Sequence, residues 1–355
     1  MLNVECWPLA VSRLASCDCL SPGGIIGVVT TMRNRASNSS SVFLSCVVVL
    51  LVAAVSAPLI ACSVPVFRYA LERWNPNSHC AVIFHRGKLS KPQAAVCEQL
   101  AAGAQKQKAN LTVKTVDLNE DLSPWAPEFY TSGDLPRMVL LQPPSGSGSS
   151  PPSSWPAKLM VWSSPVDKAS AAAIIDSPKR RKISRLIRSG CSVVWVMLDS
   201  GDAKKDAAAA ALTKRVIAKL AGKLKIVKPL AAIPRQASGK LPKLRLAFSM
   251  IRVSRADPAE RVLVEMLLSG GKGLRKASGP MLLPVFGRGR ILGGLFDKEI
   301  NEGKITKLAA ALTGPCSCAI KAGSQSLSDL LISADWTTAA KPAAATRPAP
   351  KKPPL

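Results

Sequence analysis

Leu59-Ile60-Ala61-Cys62 closes a stretch, Ser41 to Phe67, that carries no charge. Small residues directly before a cysteine, after an apolar run, read as a lipobox. The Cys62 thiol would take a diacylglyceryl group, and Cys62 would become the new N-terminus. Cys316 and Cys318 stand one residue apart. Such a pair can form a strained, readily reduced disulfide, or offer soft ligands to Cu(I) or Zn(II). A metal needs more than two ligands, and no His or Cys lies nearby in sequence to supply them. The plainer reading is a structural disulfide, or small buried residues after the final helix.

The other chemistry-bearing residues are sparse. His79 and His85 are the two histidines. On a strand they share one face, whereas Cys80 faces the other way, so a His–Cys metal site on that strand is geometrically poor. A surface histidine at a strand end is the plainer account of His85. Gly287-Arg288-Gly289-Arg290-Ile291-Leu292-Gly293 has the wrong spacing for a dinucleotide loop and reads as a hairpin turn. Ser269-Gly270-Gly271-Lys272-Gly273 lacks the spacing of a phosphate-cradling loop. Lys179-Arg180-Arg181-Lys182, with Arg185 and Arg188, reads as a basic helix face. Against anionic headgroups each such residue would add roughly 1 kcal/mol; a solvated face is the plainer account. No serine–histidine–acid or paired-carboxylate signature stands out. No cofactor is expected, and no metal or catalytic residue is assigned.

The elements before Cys62 fit export. Arg33 and Arg35 supply a basic start and Phe43 to Ala57 the apolar run of a signal peptide. The basic start belongs to Met32, so residues 1–31 read as an extension from a start codon set too early, and 32–61 as the signal. A plain transmembrane anchor is the rival, since the uncharged stretch could cross a ~30 Å hydrocarbon core; Pro58 and the match at Cys62 favour the lipoprotein. The expected location is the cell envelope, on the non-cytoplasmic side of a bacterial membrane.

Forty-eight Lys and Arg against 22 Asp and Glu give a formal net charge of +26. That balance invites a nucleic-acid partner. Export argues against one, as do only two tyrosines for stacking. Anionic lipids or envelope polymers are the expected counter-charges, and a solvated surface with no specific partner is plainer still. With Cys62 acylated, Cys80, Cys97, Cys191, Cys316 and Cys318 remain, an odd set that intrachain disulfides cannot fully pair.

Helix and strand signals alternate downstream. Cys80 to Phe84 reads as a buried strand. Ser90-Lys91-Pro92-Gln93 reads as a capping box, with Val96, Leu100 and Ala104 on one helix face. Leu111 to Leu118, Leu135 to Leu141 and Lys158 to Trp162 read as strands, and Ser164-Pro165 and Ser177-Pro178 as helix starts. The order then repeats. Ser192 to Leu198 is a strand, followed by a helix through Leu212, Val216, Leu220 and Leu224, and by a strand from Leu244 to Val253. Asp257-Pro258-Ala259-Glu260 caps a helix. Met281 to Phe286 and Ile291 to Phe296 form a hairpin, and Asn301 opens a last helix ending at Gly314-Pro315.

This order resembles the thioredoxin fold, twice over. The Pro280 to Phe286 strand, Gly289, and Gly293-Gly294 before a helix resemble that family's proline–strand–glycine–strand–helix ending. The resemblance places Pro136 and Pro280 at the family's cis-proline. It also puts the redox motif after each first strand, where the chain reads Phe84-His85-Arg86-Gly87-Lys88-Leu89 and Leu198-Asp199-Ser200-Gly201-Asp202-Ala203. Neither holds a cysteine, so the family's dithiol exchange is excluded there. From Cys62 the chain is also similar to bacterial envelope lipoproteins of unassigned activity that begin Cys-Ser-Val-Pro-Val-Phe-Arg-Tyr-Ala-Leu-Glu-Arg-Trp.

The expectation is thus α/β, with two tandem thioredoxin-like domains, each a central mixed sheet flanked by helices, after an N-terminal signal and anchor. Residues 62–77 would be a tether, 78–190 the first domain with a disordered insert at 143–157, and 191–315 the second. A Cys-Ser-Cys segment (316–338) and a disordered Ala/Pro/Lys tail (339–355) would follow. The expected role is non-catalytic binding or scaffolding; the alternative is thiol-redox or metal handling through Cys316 and Cys318.

Overall fold

A computed structural model describes residues 62–120, 135–143, 159–224, 246–269, 274–316 and 327–337. All lie in one compact unit that begins at Cys62. The leader to residue 61, residues 144–157 of the expected insert, Cys318 and the tail 339–355 lie outside the described residues.

The unit opens with strand β1 (Cys62–Pro65) and helix α1 (Val66–Arg73). A first sheet follows, from β2 (His79–His85), β3 (Leu111–Asp117), β4 (Arg137–Leu141) and β5 (Met160–Pro165). Its order is β3-β2-β4-β5, with β2 and β3 parallel and the other pairs antiparallel. Helix α2 (Lys91–Lys106) makes the parallel crossover. Ser90 and Gln93 form the expected capping box, and Pro92 sits in the first turn, where no intrahelical N–H partner is lost. Val96, Leu100 and Ala104 are buried.

Two helices lead to the second sheet, α3 (Lys168–Ile175) and α4 (Pro178–Arg188). The first starts later than Ser164-Pro165 suggests. Those two residues stay in β5, opposite Met138 and Arg137, and the cap is Asp167, whose carboxylate accepts from Ser170 N at 2.7 Å.

The second sheet repeats the first. It comprises β6 (Val193–Leu198), helix α5 (Ala203–Lys223), β7 (Phe248–Val253), helix α6 (Arg261–Ser269), β8 (Met281–Phe286), β9 (Arg290–Leu292) and β10 (Leu295–Phe296). Helix α7 (Glu302–Thr313) follows, then strand β11 (Pro315–Cys316), which pairs with β1 in a separate two-stranded sheet, and strand β12 (Leu327–Asp329), which completes the second sheet. The order is β12-β9-β8-β6-β7, with β10 also on β8; β6 and β7 are parallel, and β8 runs antiparallel to β6 and β9.

Strand alternation decides the layers. Ala81 and Ile83 of β2 and Val194, Val196 and Leu198 of β6 face one shared core, filled by α2, α3, α4 and α6. Cys80, Val82 and Phe84 face the other side of the first sheet. Val193, Trp195 and Met197 face a core made by α1, α5 and α7. This is an α/β architecture of two mixed sheets flanked by helices.

The segment expected as a tether is instead part of the fold. Val66, Phe67, Ala70 and Leu71 are buried, and full burial of each large apolar side chain contributes roughly 1.5–3 kcal/mol. Gly287 allows the close approach of α1: at φ +61°, a Cβ there would lie 2.6 Å from Ala70 Cβ. The segment at 316–338 is also not merely a carrier of cysteines. β12 joins the edge of the second sheet, and Leu330, Leu331, Ile332 and Trp336 enter the shared core.

Candidate functional site

The resemblance directs attention to the end of the first strand in each sheet. In the first sheet, His85 is half-buried rather than a free surface side chain. Its Nδ1 lies 2.7 Å from the Gly87 carbonyl oxygen. A carbonyl can only accept, so Nδ1 carries the proton, and in the neutral ring Nε2 holds the lone pair. Asp117 Oδ2 lies 3.9 Å from Nδ1. Asp117 Oδ1 accepts from Asn119 N at 3.0 Å and Gly87 N at 3.1 Å. These bonds, that from Asn119 foremost, hold its carboxyl below the usual range. The arrangement fixes an imidazole as a general base would be fixed, yet among the described residues no hydroxyl or thiol is hydrogen-bonded to Nε2.

In the second sheet the same place is closed by structural bonds. Asp206 accepts from Ser200 N (2.8 Å), Ser200 Oγ (2.7 Å) and Gly201 N (3.1 Å). Burial pushes its carboxyl up, but those bonds outweigh burial and hold it below its ordinary value. Asp202 caps α5, and Asp199 pairs with Arg252 at 3.0 Å. Arg255 donates to the carbonyls of Asp199, Ala277 and Gly279, so it spans from the end of β6 to the residue before Pro280. The two proline positions differ: Leu135–Pro136 is cis, and Gly279–Pro280 is not.

The cysteines separate into two groups. Cys80 and Cys97 are buried free thiols, and Cys191 is buried as well. Burial pushes the Cys80 thiol up to about 11 and also raises Cys97. The Cys191 thiol donates to the carbonyls of Val193 and Ala247. A thiol reagent at neutral pH is therefore expected to leave these three unmodified until the protein is unfolded, as counted by mass after alkylation. The other group lies at one edge. β1 and β11 pair antiparallel with Cys62 opposite Cys316 and Pro65 opposite Pro315.

No protein-family model matches this chain, and a search of curated proteins finds no match. Function must therefore be argued from the residues. Among the described residues no cluster of three His, Cys, Asp or Glu could hold a metal ion, and no helix is long and apolar enough to cross a membrane.

Two connected networks were not visible in the sequence. The stretch 327–337 forms a clasp between the sheets. Asp329 receives a bidentate pair from Arg290 (2.7 and 2.8 Å) and a bond from Asn77 N (2.7 Å). Asn110 bonds both Leu330 O and Ile332 N. His79 is buried, and its Nε2 lies 3.0 Å from Asp329 O. The second network corrects the basic-face reading. Lys179 is half-buried, Arg181, Lys182 and Arg185 are exposed, and Arg180 is fully buried, bonded to Ser177, Ile174 O and Leu331 O. A buried hydroxyl and a carboxylate (Ser177, Glu260) make room for a charge that four successive basic letters concealed.

Proposed function

We propose that this chain is a bacterial envelope lipoprotein, held on the non-cytoplasmic side of its membrane by diacylglyceryl-Cys62. Its two halves are thioredoxin-like domains that have lost the dithiol and serve as a non-catalytic binding or scaffolding component. The observation that carries the reading is the start of the compact unit at Cys62, the residue at which a lipobox would be cut. The repeated strand order, parallel across a helix and then antiparallel, supports the thioredoxin-like assignment. The self-bonded turns after β2 and β6 support binding over catalysis. Mass spectrometry of the natural N-terminus is the test. The expected product begins at Cys62 with acyl groups; an acyl-free chain starting at Met1 in a soluble cytosolic fraction overturns the reading.

A second reading, thiol-redox or metal chemistry at Cys316 and Cys318, draws support from the β1–β11 register. If Cys62 is unacylated, it and Cys316 stand opposite one another on this strand pair, and mild reduction should then release reactive thiols and change metal retention.

A further inference from the structure

We infer that the exposed face of α5 is a docking strip for a linear phosphodiester polymer of the envelope. The strip stands on geometry and charge; the source of the polymer rests on the lipoprotein reading above. Lys204, Lys214, Arg215, Lys219 and Lys223 are exposed on this helix. Arg215, Lys219 and Lys223 recur every four residues, which lines them along one side at intervals of about 6 Å. Lys204 falls on the same side about three turns earlier. Carboxylates do not answer this row. Asp206, the one acid in α5, is buried and bonded to Ser200 and Gly201. No Asp or Glu stands between Asp206 and Asp257, so the residues that follow the helix cannot neutralise it either.

From α7, Glu302 pairs with Lys219. Lys219, then Arg215 and Lys223, hold the Glu302 carboxyl below its ordinary value, so one carboxylate sits among three cations. Lys214, Arg215 and Lys223 have no ion pair among the described residues. Like charges four apart oppose the helix that carries them, and a bound polyanion relieves that repulsion. The rest of the face says which polyanion. From Ala207 to Lys223 every other exposed position is alanine or glycine, while Val216, Ile217 and Leu220 are buried in the core. A helix that inserts into a bilayer needs large apolar side chains on its outer face, and α5 exposes none. It also holds no aromatic ring for base stacking. A row of cations one helix wide, with little relief between them, suits an extended chain whose phosphates meet Lys singly and Arg bidentately.

The test uses the natural acylated protein in phosphatidylcholine vesicles, with linear poly(glycerol phosphate) as the probe and binding read by co-sedimentation. At ~0.7 counterion released per phosphate of a flexible strand, three contacts predict roughly a 20-fold loss of affinity between about 50 and 200 mM salt. Arg215→Gln/Lys219→Gln/Lys223→Gln should lower affinity at least about tenfold at the lower salt and flatten that dependence. Lys106→Gln/Lys182→Gln/Arg185→Gln removes equal charge from exposed sites elsewhere and should cost less than about threefold. Equal losses in the two triple variants overturn the strip, since net charge alone would then bind. Glu302→Gln should raise affinity about threefold, the scale of one exposed charge interaction; an unchanged affinity overturns the placement beside α7. Tighter binding of single-stranded RNA of equal charge overturns the assigned occupant. So does a triple variant that keeps the polymer but loses attachment to added phosphatidylglycerol vesicles. A natural chain found unacylated in the cytosol overturns the lipoprotein reading and the envelope source, while the comparison of triple variants still decides the strip.

Discussion

Replacing Arg180 by alanine should lower folding stability by about 3–5 kcal/mol, the usual cost of removing one partner from a buried charge network. The guanidinium is wholly enclosed. It donates to Ser177 Oγ (3.1 Å), Ile174 O (2.9 Å), Leu331 O (3.2 Å) and Ala173 O. Burial pulls its pKa down to about 10, and the nearby carboxylates of Asp176 and Glu260 oppose that fall, so it stays charged at neutral pH. Glu260 is equally enclosed and accepts from Ser177 Oγ at 2.6 Å and Lys179 N at 2.7 Å. One side chain thus joins the α3–α4 elbow, the start of α6 and the clasp. Alanine would leave three carbonyls without a donor and Glu260 without its buried counter-charge. Lysine is expected to fare little better, since a single ammonium cannot reach all the acceptors that the planar guanidinium fork donates to. The double variant Arg180→Met/Glu260→Gln should recover part of the loss. Urea midpoints decide: a single-variant loss below about 1 kcal/mol would show that the network is dispensable.

The physical reason why some of this was legible in sequence lies in range. The α2 capping box, the Asn301 cap of α7 and the buried run of β6 are local signals, written within a few residues. Both β2 and β6 are buried on both faces, so unbroken apolar letters betrayed them. The roles of α1 and the clasp depend on partners more than 200 residues away, as with Val66 on Gly314. Val66, Phe67, Ala70 and Leu71 do carry a helical spacing, but lying behind the expected lipobox they read as leash. Arg180 was hidden by its neighbours, because exposed Arg181 and Lys182 set the apparent character of the whole run. The strand-end turns were located by sequence order alone. Their contents could not be: neither the tautomer of His85 nor the grip of Arg255 on Gly279 follows from residue type.

Acid should weaken the clasp through His79, by about 3 kcal/mol in total. His79 is fully enclosed, and burial lowers its pKa to about 4 from an ordinary 6.5, against the opposing pull of Asp329. The positive charge of Arg180 adds to the lowering. Nε2 donates to the Asp329 carbonyl, while Nδ1 is buried without a hydrogen-bond partner among the described residues. The folded state therefore holds the neutral ring, and the unfolded state takes up a proton first. Above pH 6.5 neither state is protonated there, and the contribution to stability is complete. As pH falls from 6.5 toward 4, only the unfolded chain gains the proton, at about 1.4 kcal/mol per pH unit. Below about 4 both states bind it and the loss levels off. Urea midpoints at pH 7.5 and 4.5 should reveal the slope, and His79→Gln should remove most of it while keeping a donor for Asp329 O. Carboxylates that titrate in this window act on both proteins alike, so the difference between them isolates the imidazole. Equal slopes would mean that the ring is protonated in the folded state without penalty. Because His79 touches Asp329, whose carboxylate also holds Arg290 and Asn77 N, the first amides to lose hydrogen-exchange protection in mild acid should be those of Leu330 to Ile332. The clasp would then open before either sheet unfolds.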